Sequence, residues 1–192
     1  MWEEFCAAAP QAVASTLVAP PSYNDYRHFI NTTLTPGIPG ALPPVESLYK
    51  DWGGHKAGLQ HGQGYYMGDA AKHMQALYAH LGLEVPQDFQ AMPDHLVLLL
   101  ETAEYLHENT TDAELFDFVE HHFDWLKDYR SMLTERARAT DDAACMHGAH
   151  FYAALLAYIE AYVQSYFIFH DMKDIFHSRG EESRSIEEVV LQ

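Results

Sequence analysis

The stretch Met92-Pro93-Asp94-His95-Leu96-Val97-Leu98-Leu99-Leu100-Glu101, running on through Tyr105-Leu106, decides how the chain reads. Pro93 suits the first position of a helix, where no backbone N–H is needed. Asp94 in the first turn then complements the positive end of the helix dipole. Leu96, Leu99, Leu100, Ala103 and Leu106 fall at i, i+3, i+4, i+7 and i+10, one stripe of a helix that buries a face. An Asp-His pair thus stands at the mouth of the most apolar helix in the chain.

Downstream, Thr111-Asp112-Ala113-Glu114 matches a capping box and opens a second helix. Its stripe runs through Leu115, Val119, His122 and Leu126, with Trp125 and Tyr129 on a flank. Polar residues near 136–142 predict a break. A last long helix then runs from about 143 to beyond 169, carrying Phe151, Leu155, Tyr158, Ile159, Tyr162 and Tyr166. Upstream, Gly68-Asp69 opens a helix with Met74, Leu77, Tyr78 and Leu81 on one face, and Gly82 is its stop signal. The glycines from 53 to 64 predict a flexible connection. A turn or two of helix is expected at 45–52, irregular chain at 35–44 and a short helix at 23–30. Residues 2–18 are Ala-rich and moderately helical, broken by Pro10. Nothing alternates with period two, so no sheet is predicted. The expectation is an all-α, single-domain helical bundle of about six to eight helices over residues 1–178, with a charged C-terminal tail at 179–192.

The charge balance narrows the partners. Eleven Lys+Arg against 28 Asp+Glu give −17, the wrong sign for nucleic acid or an anionic membrane; it fits a basic peptide, although solubility alone is the commoner reason for such acidity. Cys6 and Cys145 make neither a disulfide framework nor a zinc site by spacing, so a reducing compartment is the default. The opening Met1-Trp2-Glu3-Glu4-Phe5 lacks the basic region of a secretory signal. The longest apolar run falls far short of the roughly 20 residues that span a bilayer. A cytoplasmic protein without stable membrane insertion is expected.

Thirteen histidines invite a metal reading. Glu104-Tyr105-Leu106-His107 is the Glu-x-x-His unit that di-iron bundles take from two of their helices. Asp174 to His177 echoes it weakly, and His147-x-x-His150 puts two imidazoles on one face. No second full motif exists, though Glu101 and Glu120 are candidate carboxylates. Surface and cap histidines are the favoured reading, with a di-iron-type metal protein using Glu104 and His107 as the alternative. The glycine stretch lacks both the P-loop and the dinucleotide fingerprints, and no nucleophile elbow or zincin motif is present. Cys145 and His147, two apart on a helix, point away from each other. The aromatics are mostly core at helical spacing; Trp52, Tyr65 and Tyr66 are less easily placed there, and a groove for an apolar segment is the minority reading for them. For Asp94-His95 the residue chemistry favours dipole partner and loop anchor over an anionic receptor for an arginine fork.

Several segments, in order, resemble the TorD/DmsD/NarJ family of chaperones for molybdenum-dependent redox enzymes. Pro43-Pro44-Val45-Glu46-Ser47-Leu48-Tyr49 is similar to the family's Pro-Pro-Tyr-Glu-Ser-Val-Tyr. Tyr78 to Leu83 is similar to its Tyr-x-x-x-Gly-Leu, and Pro93-Asp94-His95-Leu96 to its Pro-Asp-His-Ile/Leu. His121 and Trp125 match His-Leu-x-x-Trp, with His122 in place of the leucine, and Phe151 to Leu155 matches Phe-Tyr-x-Ala-Leu. The resemblance implies an all-helical protein that is not an enzyme and needs no cofactor. It implies a partner: the twin-arginine signal peptide and apo form of a molybdoenzyme of the dimethyl sulfoxide reductase type. It further implies that Pro93, Asp94, His95, Glu46, Tyr49, Trp52, His121 and Trp125 belong to the peptide site. Oligomeric state is left open between monomer and homodimer.

Overall fold

The computed structural model describes residues 2–9, 14, 16–50 and 64–165. Trp52, the Gly-rich connection, the Asp174–His177 echo and the expected tail lie outside the described residues. Among those described, the regular structure is helical, with a single isolated antiparallel bridge between Val45 and His95. α1 is Trp2–Ala8, and α2 is Tyr23–Phe29, widening into a π turn at Ile30–Leu34. A 3-10 turn at Glu46–Leu48 follows. α3 is Asp69–Leu81, α4 Leu96–Asn109, α5 Asp112–His122 and α6 Leu126–Ala139. α7 covers 143–165 of the described chain.

Local chemistry sets these boundaries. Gly82 adopts φ 69°, left-handed, and its N–H reaches back to the Tyr78 and Ala79 carbonyls, which stops α3 where a side chain would be strained. The Thr111–Glu114 capping box forms with both of its reciprocal bonds. Phe29, Met74, Leu99, Leu126, Tyr129, Leu133 and Leu156 meet in the interior, fully or almost fully buried. They draw α2, α3, α4, α6 and α7 around one core.

Three expectations are corrected. Pro93 is not the first helical residue, and Asp94 is not in the first turn: α4 begins at Leu96, and His95 is its N-cap, with Nδ1 accepting from the Val97 amide at 3.2 Å. The buried stripe of α4 is Leu96, Leu98, Leu99, Thr102 and Leu106, while Leu100 is exposed and Ala103 half-buried. In a run of five apolar residues two stripes overlap, and Thr102 can turn inward because its hydroxyl donates to the Leu98 carbonyl at 2.6 Å. Finally, the helix opened at Thr111 does not run through Leu126. It ends at His122, and α6 starts at Leu126 after three intervening residues. The Trp125 indole donates to the His122 carbonyl at 2.8 Å, satisfying one of the acceptors that a helix end exposes.

α7 approaches α2 closely because position 148 has no side chain. A Cβ on Gly148 would stand 2.3 Å from Cγ and 2.6 Å from Cβ of Phe29, so a clash there must move backbone. Gly148→Ala should therefore cost about 1–3 kcal/mol of stability by overpacking. Chemical denaturation measures it. Phe29→Leu in the same chain should recover little of the loss, because leucine keeps the Cβ and Cγ that the added methyl meets.

Candidate functional site

The Pro43–Tyr49 and Pro93–Leu96 segments, about fifty residues apart in sequence, clasp each other. The Leu96 amide donates to the Pro44 carbonyl at 2.8 Å and the Glu46 amide to the Asp94 carbonyl at 3.1 Å. The fully buried Asp94 carboxylate accepts the Ser47 amide at 2.7 Å. Prolines offer carbonyls but no N–H, and here those carbonyls are used. Tyr49 donates its phenol to Pro43 at 2.9 Å, and Tyr78 of α3 donates to Pro93 at 3.0 Å. Tyr78 is pushed up to about 12, by burial first and then, against the lowering effect of its Thr102 hydrogen bond, by the Asp94 charge. Tyr66 is raised by burial and by the same charge.

A second buried layer lies beneath. His122 Nδ1 is 2.7 Å from Glu46 Oε2, with both side chains fully buried, and His122 Nε2 is 2.9 Å from His73 Nδ1. Lys50 Nζ stands 3.8 Å from Glu46 Oε1 and 2.8 Å from Asp124 Oδ1, and also donates to the His121 carbonyl. Burial first, and the Lys50 charge next, push His122 down to about 3. The network is therefore satisfied by a neutral imidazole that donates Nδ1–H to Glu46 and accepts from His73, while Lys50 supplies the countercharge. Trp125 stacks on Tyr49 with centroids 5.5 Å apart and planes 5° apart, and Tyr129 closes the group 4.8 Å from Tyr49.

Of the residues assigned by resemblance, Pro93, Asp94, Glu46, Tyr49 and Trp125 are thus brought together, and all are buried. His95 is half-buried, edge-on to Phe89 at 5.0 Å. Its pKa falls to about 4 through burial. His121 is exposed, its Nδ1–H donated to the Asp117 carbonyl at 2.7 Å. Asp94 is no open receptor for an arginine; it is an interior acceptor. Trp52 lies outside the described residues.

What sequence reading missed is a groove. α4, α5 and α7 enclose about 490 Å³ between Leu100, Ala103, Leu115, Val119, Phe123 and Ile159. Through Val119, Phe123 and Val163 it runs into a second pocket of about 470 Å³ bearing three carboxylates, Glu120, Asp124 and Glu160, and one ammonium, Lys127. Glu160 is held by a two-pronged bond from Arg130, at 2.6 and 3.0 Å. Glu120 is exposed and makes no ion pair among the described residues. Glu104 and His107 line the apolar groove, and among the described residues they join neither Glu101 nor Glu120 in a cluster of three metal donors. The signal in the sequence was the pair Leu100 and Ala103, apolar positions of α4 that read as core and instead line the groove.

Residues 25–139 match the family model of the nitrate reductase delta subunit. No curated protein and no solved structure matches. The matched span takes in the clasp, α3 to α6 and the buried Glu46–His122 pair, and the chain belongs to this family of redox-enzyme maturation chaperones. The family implies a molybdoenzyme precursor as partner and a non-catalytic role. No helix among the described residues is long and apolar enough to cross a membrane.

The histidines make stability depend on pH with a definite sign. His122 and His95 take up protons near 6.5 when unfolded but only near 3 and 4 when folded. Their contribution is complete above 6.5 and is lost as the pH falls below it. Each should add about 1.4 kcal/mol per pH unit to the slope in that window. Urea unfolding between pH 7 and 5 should show the decline, and His95→Asn, which can still cap α4, should reduce the slope by about one proton. Asp94→Ala should cost about 1–3 kcal/mol at neutral pH by stranding the Ser47 amide, and Asp94→Asn less.

Proposed function

We propose that this chain is a cytoplasmic chaperone that binds the twin-arginine signal peptide of a molybdopterin-containing oxidoreductase, one of the dimethyl sulfoxide reductase type. It holds the precursor until cofactor insertion and folding are complete. The observation that carries this reading is the continuity of an apolar groove with an acidic pocket. A twin-arginine signal is basic at one end and apolar after it. The groove between α4, α5 and α7 takes the apolar segment as a helix in a groove, and Glu120 with its acidic neighbours takes the arginine pair. The net charge of −17 steers the basic end inward.

In this reading the family-signature residues serve the peptide site from behind. Asp94, Pro93, Glu46, Tyr49 and Trp125 fix where α4 and α5 stand, and those helices form the groove. His95 caps the start of α4, and His121 faces a separate pocket between α3 and α5. Arginine is favoured over lysine because a guanidinium engages a carboxylate with two parallel bonds and an ammonium does not.

Calorimetric titration of the full chain with a twin-arginine peptide and with its twin-lysine version tests the proposal. The first should bind about tenfold or more tightly, the equivalent of about 1.4 kcal/mol. Leu100→Asp, at an exposed position, should weaken both peptides, whereas Glu120→Gln should narrow the gap between them. Equal affinity for the two peptides, or none for either, would overturn the proposal.

A further inference from the structure

The end of α2 and the start of α7 meet at the surface, away from the groove. His28 near the end of α2 and Thr32 in the π turn after it face Asp142 and Cys145 at the start of α7. A His28 ring nitrogen, an Asp142 carboxylate oxygen and Cys145 Sγ all lie within 4.8 Å of one another. The closest pair is His28 Nε2 and Asp142 Oδ2 at 2.7 Å, and Cys145 Sγ is 3.0 Å from Thr32 Oγ1.

A capping aspartate needs one oxygen for its helix, and Asp142 spends only one. Oδ1 accepts the Ala144 and Cys145 amides at 2.9 and 3.0 Å. That fixes the carboxylate and leaves Oδ2 facing the imidazole. Backbone bonds from Cys145 first, then the His28 contact, hold Asp142 down at about 2. Cys145 sits in the first turn of α7 as a free, buried thiol. Thr32 donates its hydroxyl hydrogen to the His28 carbonyl at 2.8 Å, so the oxygen it turns to Cys145 is an acceptor for the thiol hydrogen. The close approach of the two helices is enforced by Gly148 against Phe29.

Imidazole, carboxylate and thiolate together are the donor set of a zinc-class cation. Calcium and magnesium call for oxygen alone, and a thiolate selects a softer ion. We infer that His28, Asp142 and Cys145 bind one zinc-class divalent cation, which clips α2 to α7 and leaves a fourth position to water. Binding releases the Cys145 thiol proton to solvent and moves the imidazole proton to Nδ1, so that Nε2 offers its lone pair to the metal. Bonds of about 2.0–2.3 Å set tetrahedral donors roughly 3.3–3.7 Å apart. Nε2 and Oδ2 must therefore separate by only about 1 Å or less, and both side chains are about half exposed.

The test is titration of the full chain, stripped with chelator, with Co2+ and then Zn2+. One equivalent of Co2+ should produce a thiolate-to-cobalt charge-transfer band, and Zn2+ should abolish it. The band should persist in Cys6→Ser, vanish in Cys145→Ser, and need at least roughly tenfold more metal in His28→Ala. Zn2+ should raise Tm of the parent chain more than that of Cys145→Ser. A chain that takes up metal without a thiolate band, or a band that survives Cys145→Ser or is unmoved by His28→Ala, would overturn the inference.

Discussion

The Ser47 amide bonded to the buried Asp94 carboxylate at 2.7 Å is the interaction on which the rest depends. A buried carboxylate is costly unless donors meet it, and one oxygen of Asp94 has no partner among the described residues. The compensation is positional. With Ser47 fixed to Asp94, the preceding residue Glu46 lies against His122, Tyr49 stacks on Trp125, and Leu96 is registered on Pro44. Two short segments joined in this way set the positions of α3, α4, α5 and α6 without a sheet.

α4 carries that order outward. One face, Leu98, Leu99 and Thr102, closes on the interior; the other, Leu100 and Ala103, forms a groove wall with α5 and α7. The same helix is therefore held by the clasp and presents the proposed peptide surface. Residues typical of the family can bear on binding without touching the ligand, because a displaced helix misplaces the groove. Burial of Asp94, Glu46, Tyr49 and Trp125 is what such a frame requires.

Much of this was legible. The Gly82 stop, the Thr111–Glu114 box, the all-helical pattern and the grouping of Glu46, Tyr49, Asp94 and Trp125 follow from local chemistry and from the resemblance. Other features were not. The start of α4 shifted because His95 can cap through its ring nitrogen, a choice that Pro93 and Asp94 obscured. The Leu98–Thr102 stripe was hidden by a run of leucines that fits two faces equally. His122, standing where the family has leucine, reads as one more stripe residue, yet it is the buried partner of Glu46 with Lys50 as countercharge. That pairing spans 76 residues, and no periodicity reports it. The groove is equally a tertiary product, assembled from three helices whose exposed apolar positions look unremarkable one at a time.

The most direct measurement is hydrogen exchange across the full chain, with and without a saturating twin-arginine signal peptide. The account predicts added protection in α4 beyond Leu100, in α5 and in α7. Residues 44–48 and 93–96, already hydrogen-bonded, should change little. Protection gained at 44–49 and 93–95, with none in α5 or α7, would contradict it and return the peptide to the signature residues themselves.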